Sequence, residues 1–162
     1  MTKSFFRNCV MAVLGLAAVQ MTLAAQERGT LEGDWDVSVT VTNCQTGAPI
    51  RVVRSIQAYH HDGSFTETAN SASRGISEGV WSPAGGQNYV ARYWFFRYKA
   101  DGTFASFASA HNTVSLGTDG HFTATGTIQD YDANGNLLST GCVVQTAYLL
   151  ATRKPTSRTS RE

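Results

Sequence analysis

Residues 88–116, NYVARYWFFRYKADGTFASFASAHNTVSL, read as one long β-hairpin. Two extended arms meet at Ala100-Asp101-Gly102, and an Asp-Gly pair between β-rich segments is the strongest short-range hairpin signal. The first arm is crowded with Tyr, Trp and Phe, and the second is thinned to Ala and Ser. A barrel with room inside needs that combination, because eight strands enclose just enough space for side chains or one small ligand.

The same punctuation recurs outward from this hairpin. Asp62-Gly63, Asp119-Gly120 and Asn134-Gly135 join Asp101-Gly102, and three of these turns have the form Asp-Gly-x-Phe, ending on Phe65, Phe104 and Phe122. Past Ala25 no long run repeats its apolar positions every 3.6 residues, so little helix is expected. Eight strands are predicted, at 33–43, 50–60, 64–70, 77–82, 88–98, 103–116, 121–131 and 137–150. Sequential strands with short connections favour an all-β fold, an eight-stranded antiparallel up-and-down β-barrel, because closure removes exposed edges. Longer Gly-, Ser- and Pro-rich loops are expected at 44–49, 70–77 and 82–87. The first two share one end with the turns at Asp101 and Asn134, and that end is the expected mouth.

Alternation assigns the inner face. Trp35, Val37, Val39 and Val41 share one side of the first strand. If each Asp-Gly closes a three-residue loop with Gly left-handed, Tyr59 faces Phe65, Tyr98 faces Phe104 and Leu116 faces Phe122. Taking those Phe residues as inward places Arg92, Trp94, Phe96 and Tyr98 inside, with Tyr93, Phe95 and Phe107 outside. Ser106, Ala108, Ala110 and Asn112 follow inward from the sixth strand, Ala124, Gly126 and Ile128 from the seventh, and Glu67 from the third. Ala108, Ala110, Ala124 and Gly126 then leave a gap opposite Trp94 and Phe96, the expected ligand cavity. Arg92 and Glu67 are charges that burial penalises unless they pair or meet a ligand. The last hairpin, which pairs Tyr131 with Leu137, needs a bulge near 129–133 to keep Ile128 inside.

The remaining chain sets the context. Its 162 residues allow one domain, and with 15% charged against 42% hydrophobic a packed core is expected. Lys3 and Arg7 precede an apolar run ending near Ala18, with small residues at Ala24 and Ala25, the layout of a secretory signal peptide. That run is short of the ~20 residues that span a bilayer. The expected domains are a signal peptide at 1–24, one barrel at 25–152 and a basic flexible tail at 153–162. The destination is the periplasm or the extracellular space. There an oxidising environment favours a Cys44–Cys142 disulfide, removing about 4–5 kcal/mol of unfolded-state entropy at most. Residues 25–150 hold seven Lys/Arg against eleven Asp/Glu, while 151–162 hold four against one. With the body acidic and the positive charge on the tail, no nucleic-acid partner is expected.

Gly33-Asp34-Trp35 before the first strand and a basic residue after the last resemble the pattern of lipocalins and related calycins. That resemblance implies a tryptophan at the closed end of the barrel, covered by a C-terminal Arg or Lys. Placing Cys44 opposite Cys142 sets Trp35 opposite Ala151 and Gly33 opposite Arg153, so disulfide and Trp35–Arg153 closure ask for one register. Glu78-Gly79-Val80-Trp81, the aromatic fifth strand and Gly141-Cys142 are similar to a group of small exported bacterial proteins with a predicted lipocalin-like fold. The wider family implies binding of a small, largely apolar molecule and supplies no catalytic residues.

Catalytic signals are thin. Gly-x-Ser-x-Gly, P-loop and His-Glu-x-x-His patterns are absent from the sequence. His60 and His61 point to opposite faces, and His111 and His121 stand roughly 20 Å apart along their strands, so no metal site or cofactor is expected. Three readings stay open. The first is a non-enzymatic barrel with a small apolar ligand anchored by Arg92. The second is an isomerase or cyclase using Arg92, Glu67 and Tyr98. The third is an envelope interaction module or homodimer using an outer aromatic face.

Overall fold

Residues 30–151 are described by the computed structural model. The expected signal peptide, the tail and Arg153 lie outside the described residues. Eight strands follow in chain order: β1 (Gly33–Thr42), β2 (Pro49–Tyr59), β3 (Ser64–Ala69), β4 (Ser77–Gly85), β5 (Asn88–Tyr98), β6 (Phe104–Leu116), β7 (His121–Tyr131) and β8 (Leu137–Ala151). Each pairs antiparallel with its sequence neighbours, and β8 pairs with β1 to close the barrel. Only the expected 82–87 loop changes character: β4 continues to Gly85 and turns tightly into β5 at Asn88.

The turns follow the predicted chemistry. Gly63, Gly102, Gly120 and Gly135 all have φ between 74° and 83°, a left-handed conformation that glycine adopts without a Cβ clash. His60, Lys99, Gly117 and Asp132 each donate their N–H to the carbonyl four residues on, which closes three-residue loops. Asp62, Asp101 and Asp132 accept from backbone N–H groups of Ser64, Thr103 and Asn136. Hydrogen bonds from Ser64, Thr103 and Asn136, side chain first, hold these carboxyls below their ordinary value of 3.8. A depressed folded pKa gives stabilisation that is complete above 3.8 and is lost as pH falls through the folded value. Carboxyl-carbon NMR should therefore find all three midpoints below 3.8, and midpoints at or above it would contradict the turn geometry.

Two bulges set which way side chains point. Arg97 pairs with Ser106 but Tyr98 pairs with Phe104, so Ala105 is the extra residue. Asp130 pairs with Ser139 but Tyr131 with Leu137, making Leu138 extra and placing the expected irregularity at the last hairpin. The closing seam also differs from expectation by two residues. Cys142 lies opposite Thr42 rather than Cys44, and Trp35 lies opposite Leu149 rather than Ala151. The disulfide still forms, because Cys44 just past β1 sits 5.1 Å from Cys142, Cα to Cα.

The closed end is packed with rings. Trp35 contacts Phe122 at 4.9 Å between centroids and donates its indole N–H to Leu31 O at 2.9 Å. Tyr59, Phe65 and Tyr93 continue the stack inward. Outward residues on β6 and β7 are largely polar, with His111 paired to Thr127, Thr113 to Thr125 and Ser115 to Thr123. No described helix is long and apolar enough to cross a membrane.

Gly79 permits the tight β4–β5 approach. A Cβ there would lie 2.1 Å from the Arg92 carbonyl oxygen and 2.6 Å from Tyr93 Cα. Backbone must move to admit it, so Gly79→Ala should cost about 3 kcal/mol, the upper range for overpacking. At Gly75 an added Cβ would make only ordinary contacts, with the Tyr98 side chain from 3.5 Å and the Phe96 carbonyl oxygen at 3.9 Å, so Gly75→Ala is the control. Equal urea midpoints for the two variants would refute the prediction.

Candidate functional site

The bulge at Ala105 reverses the expected parity of β5. Tyr89, Ala91, Tyr93 and Phe95 face inward and are buried, whereas Trp94 and Phe96 are 41% and 51% exposed. Arg92 is exposed as well, and Tyr98 lies half-buried beside Gly75. The inward placement of Arg92, Trp94, Phe96 and Tyr98 is therefore corrected: one extra residue between the turn and the strand moves the whole set to the other face. The outward placement of Tyr93 and Phe95 falls with it. Arg92, Glu67 and Tyr98, the three groups considered for catalysis, do not converge.

The inner faces of β3, β6 and β7 are as expected. Glu67, Ala108, Ala110 and Ala124 are buried, and Gly126 is half-buried. Their small side chains do not leave the predicted gap opposite Trp94 and Phe96. Ala110 stands opposite Tyr93 and Ala108 opposite Phe95, so the small residues receive the inward rings of β5. Asn112 covers Gly126, with its Oδ1 where a Cβ would be.

Midway up the barrel the interior becomes polar. Glu67 accepts from Gln57 Nε2 at 3.2 Å and from Ser77 Oγ at 2.8 Å. Gln57 Nε2 also donates to Gln145 Oε1 at 3.3 Å, and Tyr59 donates its hydroxyl to Gln57 Oε1 at 2.9 Å. The Tyr93 hydroxyl accepts from Asn112 Nδ2 at 3.0 Å. Burial, aided by the neighbouring Glu67 charge, raises the Tyr93 pKa; burial likewise raises that of Tyr59, so both phenols stay protonated.

The counter-charge to Glu67 is Arg74, from the loop between β3 and β4. Its Nη2 reaches Glu67 Oε2 and Ser77 Oγ, each at 2.5 Å, and its Cζ sits 3.7 Å from the centre of the Phe95 ring. Arg97 approaches the same ring at 5.0 Å and pairs with Asp130 at 2.5 Å. Two ion pairs thus flank one aromatic ring in the mouth half of the barrel. Arg74 Nε and Asn112 Oδ1 are buried without a hydrogen-bonding partner in the protein. Glu67 was expected inside from the sequence but Arg74 was not, although a buried carboxylate demands a cation and Arg74 is the only Lys or Arg between Arg54 and Arg92.

Two recesses open near these groups. At the mouth a cavity of about 160 Å³ is lined by Val41, Arg51, Arg97, Ile128, Asp130 and Val143, among others. On the outer wall a cleft of about 540 Å³ is lined by Trp94, Phe96, Phe104, Phe107 and Tyr131. Trp94 and Phe96, expected to line an interior cavity, instead meet on this outer shelf.

The strands define a closed, eight-stranded antiparallel β-barrel, an architecture consistent with a lipocalin-like fold. Compared with models of known protein families and with curated protein sequences, the chain matches none.

Proposed function

We propose that this is an exported, non-catalytic β-barrel that binds a small molecule in the mouth half of its interior. The observation that carries the reading is the Glu67–Arg74 pair on Phe95 with its surrounding amides and hydroxyls. Buried ion pairs are often no better for stability than a packed apolar replacement. A chain that keeps one such pair fully buried, Glu67–Arg74, and a half-buried second, Arg97–Asp130, beside unpaired polar atoms departs from the rules of a stable core, and such departures concentrate at functional sites. Ligand sites run from about 300 to 1,000 Å³, so a 160 Å³ mouth admits only a very small ligand unless the β3–β4 loop gives way. The polar lining also shifts the expected ligand from a largely apolar molecule to one with polar groups beside an aromatic face.

Native mass spectrometry of the protein recovered from its own host tests this. The expected species is a chain cleaved after Ala24 or Ala25, carrying one non-covalent small molecule. A bare chain in repeated preparations would sink the carrier reading, and an uncleaved chain would sink export.

The outer shelf supports a second reading, self-association. Trp94, Phe96 and Phe104 are each at least 41% exposed, an aromatic patch of the kind that marks interaction sites. Asp132 is the one charged residue of the cleft lining, so two copies related by a two-fold axis can pair their rings without opposing many charges. Sedimentation should show dimer that Phe96→Ser converts to monomer. A monomer at every concentration would refute it.

A further inference from the structure

We infer that the chamber around Glu67 is a site for a small guanidinium-bearing molecule and that Arg74 occupies it as an internal stand-in. The inference rests on the mouth being the ligand site and names the ligand class it takes. The chamber has the parts that recognise an organic cation. Glu67 supplies a fully buried carboxylate, steered by Gln57 and Ser77. Phe95 supplies a ring face to which Arg74 Cζ comes within 3.7 Å, and a desolvated cation over an aromatic face is favourable.

Arg74 reaches this chamber from a segment that is not part of the barrel's regular wall. β3 and β4 pair over only four positions, from Ser64↔Val80 to Glu67↔Ser77. Beyond them the loop 70–76 stands in for missing strand. Asn70 bonds to Arg54 on β2, Gly75 N donates to Phe96 O at 2.9 Å, and Tyr98 N donates to Ser73 O at 2.8 Å. The sequence of this loop, Ser71-Ala72-Ser73-Arg74-Gly75, carries one long side chain, and that side chain is the one inside. Its fit is incomplete: Nη2 makes both polar contacts, while Nε is buried and unpaired. A free guanidinium, not held by a loop backbone, can turn its fork to satisfy Glu67 with two nitrogens, the geometry that makes guanidinium–carboxylate pairing strong. Withdrawal of the loop would open wall and chamber together, answering the size limit of the mouth.

Competition with Arg74 makes a clear prediction, because a tethered occupant lowers apparent affinity by the fraction of time it fills the site. The probe is methylguanidinium chloride, titrated calorimetrically at millimolar concentration into the oxidised protein, with urea as the neutral isostere and matched sodium chloride. Arg74→Ala should bind one methylguanidinium at least tenfold more tightly than wild type and should ignore urea. Adding Glu67→Gln should lose at least tenfold of that binding. A folded Arg74→Ala protein with no saturable binding, or binding indifferent to Glu67→Gln, overturns the inference. If Arg74→Ala does not fold alone, circular dichroism of it and of Arg74→Met is read with and without the probe. Recovery of β-structure with methylguanidinium but not urea supports the site, and no recovery in either variant overturns it. A guanidinium-free molecule held in the chamber of protein recovered from the host would refute this ligand class and leave the carrier reading standing. Methylguanidinium binding by Arg74→Ala beside an always-bare native protein would do the reverse.

Discussion

Replacing Glu67 with methionine should lower the unfolding free energy by about 3–5 kcal/mol, the cost of leaving a buried partner charge uncompensated. The residue left behind, Arg74, has a side chain only 8% exposed, and Glu67 itself is fully covered. Arg74 has no second carboxylate within its contacts, because Asp130 is taken by Arg97. Gln57 and Ser77 would also lose the oxygens they donate to. The double variant Glu67→Gln/Arg74→Met should return to within about 1 kcal/mol of wild type. An amide at 67 can still accept from Gln57 and Ser77, and a thioether packs well against an aromatic ring. Urea unfolding of Glu67→Gln, Arg74→Met, their double and wild type forms a cycle whose coupling term isolates the pair. A double variant as unstable as Glu67→Met would mean that the cost lies in lost packing rather than an orphaned charge.

How much of this was legible in the sequence follows from the range over which each signal acts. Asp-Gly and Asn-Gly turns are local, and all four closed as three-residue loops with the partners expected on either side. Strand ends and the barrel followed from them, whereas the disulfide was read from the two cysteines beyond the expected signal peptide. The inner faces of β1, β3, β6 and β7 were also readable, because alternation survives wherever no residue is inserted. β5 failed for one reason. Phe104 does follow its turn at the same offset as Phe65 and Phe122, but Ala105 bulges and Phe104 stays 41% exposed. Nothing in Phe104-Ala105-Ser106 distinguishes a bulged Ala from a regular one, since the choice is made by what the barrel interior can hold. With Tyr93 and Phe95 inward, their rings meet Ala110 and Ala108. Arg74 was hidden for a different reason: its loop has no periodicity, and its side chain is inside only because four β3–β4 pairs leave wall unbuilt.

Loss of the disulfide should have the other large effect, and it bears on the least local feature of the fold. Strand β1 must find β8 across almost the whole domain, from Asp34↔Ala151 to Thr42↔Cys142. Linking Cys44 to Cys142, 98 residues apart, removes from the unfolded chain the freedom that this pairing would otherwise have to overcome. The chain-entropy model puts that at about 4–5 kcal/mol, and measured losses for small secreted domains run about 2–5. Cys44→Ala/Cys142→Ala should therefore unfold at a lower denaturant midpoint by that amount. Because the cross-link acts on the unfolded state, refolding should slow while unfolding changes little, as expected when closure of a long-range contact limits folding. Unchanged refolding with faster unfolding would show that the bond tightens the finished barrel instead. The same variant reports on the site. Gly141 and Val143, on either side of Cys142, line the mouth beside Val41, so freeing the β1–β8 rim should weaken capture of a ligand there even where the barrel stays folded. An unaltered affinity in that folded variant would show that a ligand reaches Glu67 and Phe95 without help from the rim.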